Sequence, residues 1–224
     1  MTNRAHSAEE RSGIQDKLKG EQSAAPSIVL SSQDDVSDGT PRYQDLTRFR
    51  MPAKFRGRSA WFVQFWWIVQ DTLFRFSPQV MYGWRNFLLR SFGATLGKNV
   101  RIRSTARVTY PWKLVIGDNV WVGDDCVFYN LERISLGSHV ALAHAVYLCT
   151  GRHDYTKIDF PIDALPIEIE DEVWLTNDVF IGPGVRVSRG AVVGTRSTVL
   201  DSLPGGMICY GSPARARRPR AIAL

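Results

Sequence analysis

The sequence predicts an all-β core in the form of a three-sided parallel β-helix, preceded by a helical cap and a disordered N-terminal tail. The main observation is an apolar residue at every sixth position, a period that fits neither a helix with 3.6 residues per turn nor a plain strand. Such a period indicates a short tandem repeat. Fifteen aliphatic or Phe residues keep it: Leu96, Ile102, Val108, Ile116, Val122, Phe128, Leu136, Leu142, Leu148, Ile169, Leu175, Ile181, Val187, Val193 and Val199.

Small residues and glycines divide the repeat into sides and corners. The residue four positions after an apolar repeat residue is usually small or β-branched, as at Val100, Ala106 and Ser197. The residue one position after it is often Gly, as at Gly117 and Gly182, and Gly tolerates the positive φ of tight corners. Three sides therefore close a triangular coil, and coils stack at the strand spacing of about 4.8 Å. Because no coil closes a core alone, stacking must stabilise the domain.

Composition divides the chain into four regions. The first 42 residues are polar and contain no aromatic residue, which predicts disorder, and they lack the apolar core of a signal peptide. The predicted regions are a disordered tail over residues 1–42, a basic segment plus helical cap over 43–94, the β-helix over 95–212 and a basic C-terminal tail over 213–224.

Two helices are predicted in front of the β-helix. Ser59 is the predicted N-cap of the first, and the second is predicted to start at Ser77 and Pro78 and to end near Phe92. We expect these helices to cover the open edge of the first coil. The alternative is that basic and aromatic residues within 42–76 contact a membrane surface. Polar residues interrupt this segment, which leaves no stretch of about 20 apolar residues that could span a bilayer.

Charge and cysteine content narrow the function classes. The chain has 224 residues and a formal net charge of +6, but no nucleic-acid recognition motif accompanies its basic runs. Nucleic acid is therefore not a predicted partner. Its three cysteines, Cys126, Cys149 and Cys209, form no CxxC pair, and Cys126 and Cys209 fall at inward repeat positions. These features predict a reduced, cytoplasmic protein with buried thiols.

One edge of the predicted prism breaks the repeat in three successive coils. Trp112, Glu132 and Arg152 stand where a small residue is expected, and the third coil then leaves the repeat in an excursion from His153 to about Ile167. Functional sites are where local rules fail, so this edge is a candidate site. A loop-bearing corner without chemistry is the alternative.

The repeat and the segment Thr150–Tyr155 resemble the hexapeptide-repeat acyltransferase family. The fold of that family is a left-handed parallel β-helix, and the resemblance implies the same handedness here. In the sugar O-acetyltransferases of the family the matching segment carries a catalytic histidine, which is His153 in this chain. A neutral imidazole can remove the proton of a sugar hydroxyl as that hydroxyl attacks an acetyl thioester. Asn130 and Glu132, on the irregular edge one coil below His153, are predicted to contact the acceptor or to orient the imidazole, and Asp154 is a further predicted contact of the acceptor.

The resemblance also implies acetyl-CoA as the acyl donor, bound between neighbouring subunits of a homotrimer. By motif, Asn177 and Thr195 would contact the pantetheine arm. Arg215 and Arg218 would bind the CoA phosphates, because a planar guanidinium donates to phosphate through two parallel hydrogen bonds. Asp201 stands where the family often has a basic contact.

A metal site is not predicted. One branch of the same superfamily comprises zinc carbonic anhydrases, which use two histidines five positions apart and a third from the preceding coil. His139 and His144 have that spacing, but no histidine lies between His6 and His139. Catalytic zinc needs three protein ligands, so His139 is interpreted as a solvated turn residue and His144 as a structural or subunit contact.

Within the family, the closest resemblance is to acetyltransferases of colanic acid and other exopolysaccharides. It is carried by Trp84–Ala94, Tyr110–Lys113 and Tyr129–Leu131, together with the histidine segment. This implies acetyl transfer to a sugar hydroxyl of a polysaccharide precursor, at or near the inner face of the membrane. Two alternatives stay open: a non-catalytic trimeric scaffold of a polysaccharide-synthesis complex, and an acetyltransferase with an amine or another small-molecule acceptor.

Overall fold

The described chain is a parallel β-helix whose short strands stack into three sheets. The computed structural model describes residues 42–53 and 55–221, so all of the predicted tail over residues 1–42 except its last residue lies outside the described residues. Sheet 1 contains β1 (Thr95–Leu96), β4 (Leu114–Ile116), β7 (Ile134–Leu136), β12 (Ile167–Ile169) and β15 (Arg186–Val187). Sheet 2 contains β2 (Arg101–Ile102), β5 (Trp121–Val122), β8 (Ala141–Leu142), β13 (Trp174–Leu175), β16 (Val192–Val193) and β18 (Met207–Gly211). Sheet 3 contains β3 (Arg107–Val108), β6 (Val127–Tyr129), β9 (Tyr147–Cys149), β14 (Phe180–Ile181) and β17 (Thr198–Val199).

Two further pairs of strands are antiparallel. β10 (Gly151–His153) and β11 (Ile162–Ala164) form a hairpin that leaves the third coil. β19 (Ala214–Pro219) pairs with β18 at the end of sheet 2. The segment predicted to be a C-terminal tail therefore begins as a strand, because its backbone groups satisfy the last exposed edge of that sheet.

The interior of the prism follows the six-residue repeat. Fourteen of the fifteen predicted inward residues have at most 2% of their surface exposed, and Leu96 at the open first coil is partly buried. The small residues four positions later, from Val100 to Ser197, are buried as well. Each buried aliphatic side chain contributes roughly 1.5–3 kcal/mol before conformational entropy is subtracted. Stacked coils thus share one continuous apolar core.

Corner glycines are present for a different reason from the one expected. Gly117 does not have a positive φ; a Cβ atom there would lie 2.7 Å from the carbonyl carbon of Gly137 in the next coil. Glycine is needed because neighbouring coils approach too closely for a side chain. The left-handed conformation occurs two positions later, at residues such as Asn119, Asp125 and His139, with φ of 56°, 58° and 58°. Asn and Asp tolerate that conformation better than most side chains do.

Two helices close the N-terminal end of the prism. Helix α1 (Ala60–Val69) continues into a π-helical turn (Gln70–Phe74), and α2 is Tyr82–Ser91. Ser59 caps α1 as predicted, since its hydroxyl accepts a hydrogen bond from the amide of Phe62 at 3.3 Å. The indole Nε1 of Trp66 donates to the carbonyl of Val108 at 2.8 Å, and the amide of Val108 donates to the side chain of Gln70 at 2.6 Å. The cap thereby satisfies backbone groups of the first coil.

Arg85 of α2 is fully buried and ties the cap to the first coil. Its Nε donates to the carbonyl of Ile102 at 2.6 Å, and one terminal nitrogen donates to Ser77 Oγ and to the Pro78 carbonyl at 2.8 and 2.9 Å. These bonds hold residues 77–81 as a turn. The predicted start of the second helix at Ser77 and Pro78 is therefore wrong, and α2 begins at Tyr82. Over the described ranges, no helix has the length and apolar character of a bilayer span.

Candidate active site

The irregular edge of the prism lies between sheets 3 and 1, and we call it the hairpin edge. Three of the connections that run from a strand of sheet 3 to a strand of sheet 1 form this edge: residues 109–113, 130–133 and 150–166. They stack one above another in successive coils, as the sequence predicted, and the last of them contains the β10–β11 hairpin. Arg152 and Asp163 brace that hairpin with two hydrogen bonds of 3.0 and 2.7 Å.

Asn130 is part of the internal structure of this edge. Its side chain is fully buried, its Oδ1 accepts from the Tyr110 amide at 2.9 Å, and its Nδ2 donates to the Tyr110 carbonyl at 2.7 Å. The side-chain amide of Asn130 therefore pairs with the backbone N–H and C=O of Tyr110, as a neighbouring strand would in a regular coil. This arrangement contradicts the prediction that Asn130 contacts the acceptor, because no polar atom of its side chain is left at the surface.

Glu132 lies at the surface of the same edge. Its amide donates to Thr150 Oγ1 at 3.0 Å, and its carboxylate lies 3.8 Å from Lys113 Nζ. Lys113 also donates to the carbonyls of Phe55 and Leu131. Burial lowers the pKa of this ammonium, while the charge of Glu132 opposes that shift. The Glu132 carboxylate is thus partly exposed and lies beside a lysine that is anchored to the backbone.

His153 is the last residue of β10 and lies outside the prism core, with its imidazole partly buried. Its Nδ1 is 3.0 Å from the carbonyl oxygen of Phe160, and its ring stacks on the Phe160 ring with centroids 4.2 Å apart and planes 7° apart. A carbonyl oxygen can only accept, so Nδ1 must carry the proton of this hydrogen bond. In the neutral imidazole the free lone pair is then on Nε2.

The residues that hold the imidazole come from two distant segments. Phe160 has a φ of 46°, an uncommon conformation for a non-glycine residue, and this conformation accompanies the carbonyl contact with His153. On the other side, the ring of Phe49 lies 6.1 Å from the imidazole, and the buried Asp45 donates its amide to the carbonyl of Ile158 at 2.7 Å. The segment before the cap therefore packs against the hairpin. Sequence reasoning missed both Phe49 and Phe160, since neither belongs to the repeat.

The hydrogen bonds and the ion pair of the Asp154 carboxylate go to Thr156 and Lys157 in the same hairpin, not to the imidazole of His153. Its carboxylate accepts hydrogen bonds from the amide and the hydroxyl of Thr156 at 3.1 and 2.5 Å and lies 3.4 Å from Lys157 Nζ. Hydrogen bonds from Thr156 lower the pKa of this carboxyl below its ordinary value, with a smaller contribution from Lys157. Asp154 thus shapes the first turn of the hairpin next to His153.

Asn177 and Thr195 lie together on a different edge, between sheets 2 and 3, which we call the ladder edge. Asn177 Oδ1 accepts from the backbone amide of His144 at 3.0 Å, and His144 Nδ1 accepts from the amide of Asp124 at 3.0 Å. One coil further on, Thr195 Oγ1 is 3.2 Å from Thr176 Oγ1. The structural interpretation of His144 fits these contacts. Within one chain, the residues predicted to bind the donor are therefore on another edge from His153.

Arg215 and Arg218 are exposed residues of β19, next to the last coil. Arg215 donates to the carboxylate of Asp201 at 2.8 Å. Asp201 is thus paired with the guanidinium that was predicted to bind phosphate. Arg218 lies opposite Ile208 in the strand pair. In the part of the chain that the structure describes, no cluster of three or more His, Cys, Asp or Glu residues has the arrangement of a metal site.

A groove of about 380 Å³ follows sheet 2 beside the ladder edge. Trp121 and Trp174 flank the small Ala141 in three successive coils, and Tyr82 and His144 also line the groove. Sequence reasoning did not predict the groove. The available signal was the pair of tryptophans at outward positions of the repeat, where most side chains are small or polar.

The comparisons with known proteins agree with this fold. No protein-family model matches the chain. The putative colanic acid biosynthesis acetyltransferase WcaF of Escherichia coli K12 is 52% identical over 177 residues, which cover 79% of this chain and 97% of that protein. The chain belongs to the hexapeptide-repeat acetyltransferase family.

More distant relatives and solved structures of this acetyltransferase family extend the comparison. The galactoside O-acetyltransferase of E. coli K12 is 27% identical over 137 residues, 60% of this chain and 68% of that protein. A hexapeptide-repeat acetyltransferase of Vibrio cholerae in complex with acetyl-CoA superposes with a TM-score of 0.67 at 23% identity, over 74% of this chain and 92% of that one. A galactoside acetyltransferase in complex with coenzyme A gives 0.62 at 20% identity, over 76% and 84%. These structures confirm the fold, and family membership makes the protein an acetyltransferase.

Proposed function

We propose that the protein transfers the acetyl group of acetyl-CoA to a hydroxyl of a sugar in the biosynthesis of a colanic-acid-type exopolysaccharide. The observation that carries this proposal is the imidazole of His153, which is fixed outside the core with its Nδ1 bonded to the Phe160 carbonyl. The 52% identity to a putative colanic acid biosynthesis acetyltransferase supports the pathway.

His153 Nε2 acts as the general base. It removes the hydroxyl proton as the sugar oxygen attacks the thioester carbonyl, so that a carbon–oxygen bond forms and the carbon–sulfur bond breaks. The proton then passes from the imidazolium to the departing thiolate, which leaves an acetyl ester and free coenzyme A. The Phe160 carbonyl stabilises the imidazolium, because Nδ1–H donates a stronger hydrogen bond when the ring is charged.

The donor lies along the ladder edge in this proposal. Asn177 and Thr195 are exposed in successive coils of that edge and offer polar groups to the pantetheine arm. Arg215 and Arg218 lie beyond them on β19, where the CoA phosphates would meet two exposed guanidinium groups. To bind a CoA phosphate, Arg215 must break its hydrogen bond with the Asp201 carboxylate.

A second copy of the chain completes the site. His153 and the donor residues occupy different edges of one prism, so a homotrimer that places the hairpin edge of one copy against the ladder edge of the next would join them. The Glu132 carboxylate and Asp154, both on the hairpin edge, are the residues that we assign to the acceptor side of this shared groove.

The acceptor is tested with a panel of sugars and acetyl-CoA, analysed by mass spectrometry. We expect a gain of one acetyl group on neutral hexoses and oligosaccharides, in a bond that hydroxylamine cleaves as it cleaves esters. If a product formed only on amino sugars and its acetyl bond resisted hydroxylamine, the acceptor would be an amine and not a hydroxyl. Failure to bind acetyl-CoA in calorimetry would instead favour a scaffold.

The shared site is tested by mixing two inactive variants. His153→Asn removes the base, and Thr195→Trp fills the ladder edge. In oligomers assembled from an equal mixture, about a quarter of the interfaces join an intact His153 to an intact Thr195. We therefore expect activity to recover to about a quarter of the unmodified level after unfolding and reassembly together, whereas a site contained in one chain would give no recovery.

A further inference from the structure

The N-terminal cap exposes a large apolar surface that the prism does not use. Trp61 is 87% exposed and Phe76 is 81% exposed, values unusual for such large side chains in a folded domain. We call the following eight residues the apolar face: Trp61, Phe65, Ile68, Leu73, Phe76, Val80, Met81 and Phe87. Exposed apolar surfaces of this kind mark contacts with proteins or membranes.

The apolar face is separate from the side of the cap that packs on the first coil. Val63, Trp66 and Val69 point inward from α1 and are buried, while Trp61, Phe65 and Ile68 recur at helical spacing on its outer side. The packing of the cap onto the prism therefore does not explain why the outer side is apolar.

The two helices present this face as one surface. The rings of Phe65 and Phe92 lie 5.5 Å apart, which joins the outer side of α1 to the end of α2. The indole Nε1 of Trp84 donates to the carbonyl of Leu73 at 3.1 Å, and its ring stacks on Phe87 with centroids 5.7 Å apart. These contacts join the exposed apolar residues of the first helical segment to those of α2.

The charge of the segment that carries the apolar face is predominantly positive. Residues 55–94 contain five arginines and one aspartate. Arg58, Arg75 and Arg90 are exposed, and the single acidic residue, Asp71, lies 3.1 Å from Arg107 outside this segment. A surface with exposed aromatic residues and an arginine rim is complementary to the interface of an anionic bilayer. A symmetric contact between two copies would bring two such positive rims together, which disfavours self-association through this face.

We propose that the apolar face lies in the headgroup region of an anionic lipid bilayer, with α1 parallel to the membrane surface. The aromatic side chains enter the boundary between headgroups and acyl chains, and Arg58 and Arg75 contact lipid phosphates. The cap closes the N-terminal end of the prism, so the prism would stand on the membrane by that end. This inference does not depend on the identity of the acceptor.

Vesicle sedimentation with the full chain tests the inference. Vesicles of phosphatidylcholine alone are compared with vesicles in which about a third of the lipid is phosphatidylglycerol. We expect the protein to bind the anionic vesicles more tightly. The triple variant Trp61→Gln, Ile68→Gln and Phe76→Gln should lower the partition coefficient at least about tenfold on both vesicles, because it removes three apolar insertions. The variant Arg58→Gln with Arg75→Gln should lower binding about tenfold or more on the anionic vesicles alone.

A matched control separates this result from a general effect of apolar surface. Leu200 is 55% exposed, close to the 61% of Ile68, and follows β17 at the opposite end of sheet 3, so Leu200→Gln should leave vesicle binding unchanged. Acetyl transfer to a water-soluble sugar should also persist in the triple variant. Absence of binding by the unmodified protein, or equal binding by the triple variant, would overturn the inference. A change in oligomeric mass with unchanged vesicle binding would assign the face to a protein contact instead.

Discussion

Replacement of Phe160 should slow the reaction without weakening donor binding. The ring of Phe160 stacks on the imidazole of His153 at 4.2 Å between centroids, and its carbonyl accepts the Nδ1 proton. Phe160→Ala keeps the carbonyl and removes the ring. A stacked aromatic pair contributes about 0.5–1.5 kcal/mol beyond area burial, so we expect kcat to fall roughly two- to twelvefold as the imidazole gains rotational freedom.

A second substitution at Phe160 distinguishes the effect of the ring from that of the backbone conformation. The φ of 46° at Phe160 costs a non-glycine residue about 1–2 kcal/mol, a cost that glycine does not have. Phe160→Gly should therefore have a higher free energy of unfolding than Phe160→Ala, yet its kcat should be no higher. Stability would then rise at this position without a gain in activity.

The assay measures kcat and the KM for acetyl-CoA, with unfolding in urea on the same samples. Tyr155→Ala is the control, because Tyr155 is 82% exposed on the same hairpin and lies outside the ring stack. Full kcat in Phe160→Ala, or recovery of kcat in Phe160→Gly, would refute the reasoning that the ring positions His153.

Three further predictions concern groups inside the fold. Asn130→Ala should lower the free energy of unfolding by about 2–4 kcal/mol and leave the acceptor KM unchanged, because both lost hydrogen bonds go to the Tyr110 backbone; an altered KM at unchanged stability would contradict this. Arg85→Met should lower the free energy of unfolding in urea by about 3 kcal/mol, since it leaves buried carbonyls without hydrogen-bond donors. Arg85→Lys should recover no more than half of that lost free energy. Burial raises the pKa of Cys126 to about 11 from an ordinary value of 9.0. The unfolded thiol then loses its proton first, so stability should fall as the pH rises from about 9 towards 11, and less steeply in Cys126→Val.

The repeat made most of the fold predictable. An apolar residue at every sixth position has a defined direction in a stacked coil, so the interior followed from residues such as Ile102 and Val193. The role of the corner glycines did not follow, because the close approach of Gly117 to the next coil depends on stacking and not on local conformation. The start of α2 was misplaced because Arg85, a tertiary contact, holds Ser77 and Pro78 in a turn.

The candidate site was predictable only in outline. The hairpin edge was visible because the repeat fails there in three coils, and the resemblance of Thr150–Tyr155 to the acyltransferase family singled out His153 on that edge. Asn130 was assigned to the acceptor from its position on that edge, but an irregular corner also needs internal hydrogen bonds, and its amide supplies them. The contacts of Phe49 and Asp45 with the hairpin join segments about a hundred residues apart in sequence, and no periodicity links them.

The variant His153→Asn is the most direct test of the role of His153 Nε2 as the base for acetyl transfer. The asparagine amide can keep the hydrogen bond to the Phe160 carbonyl, but it places no basic nitrogen at the Nε2 position. We predict a rate of acetyl transfer at saturating acetyl-CoA that is about 10²–10⁴-fold lower, with unchanged unfolding and oligomeric mass. A correctly folded His153→Asn variant that retains the full rate would show that His153 is not the base.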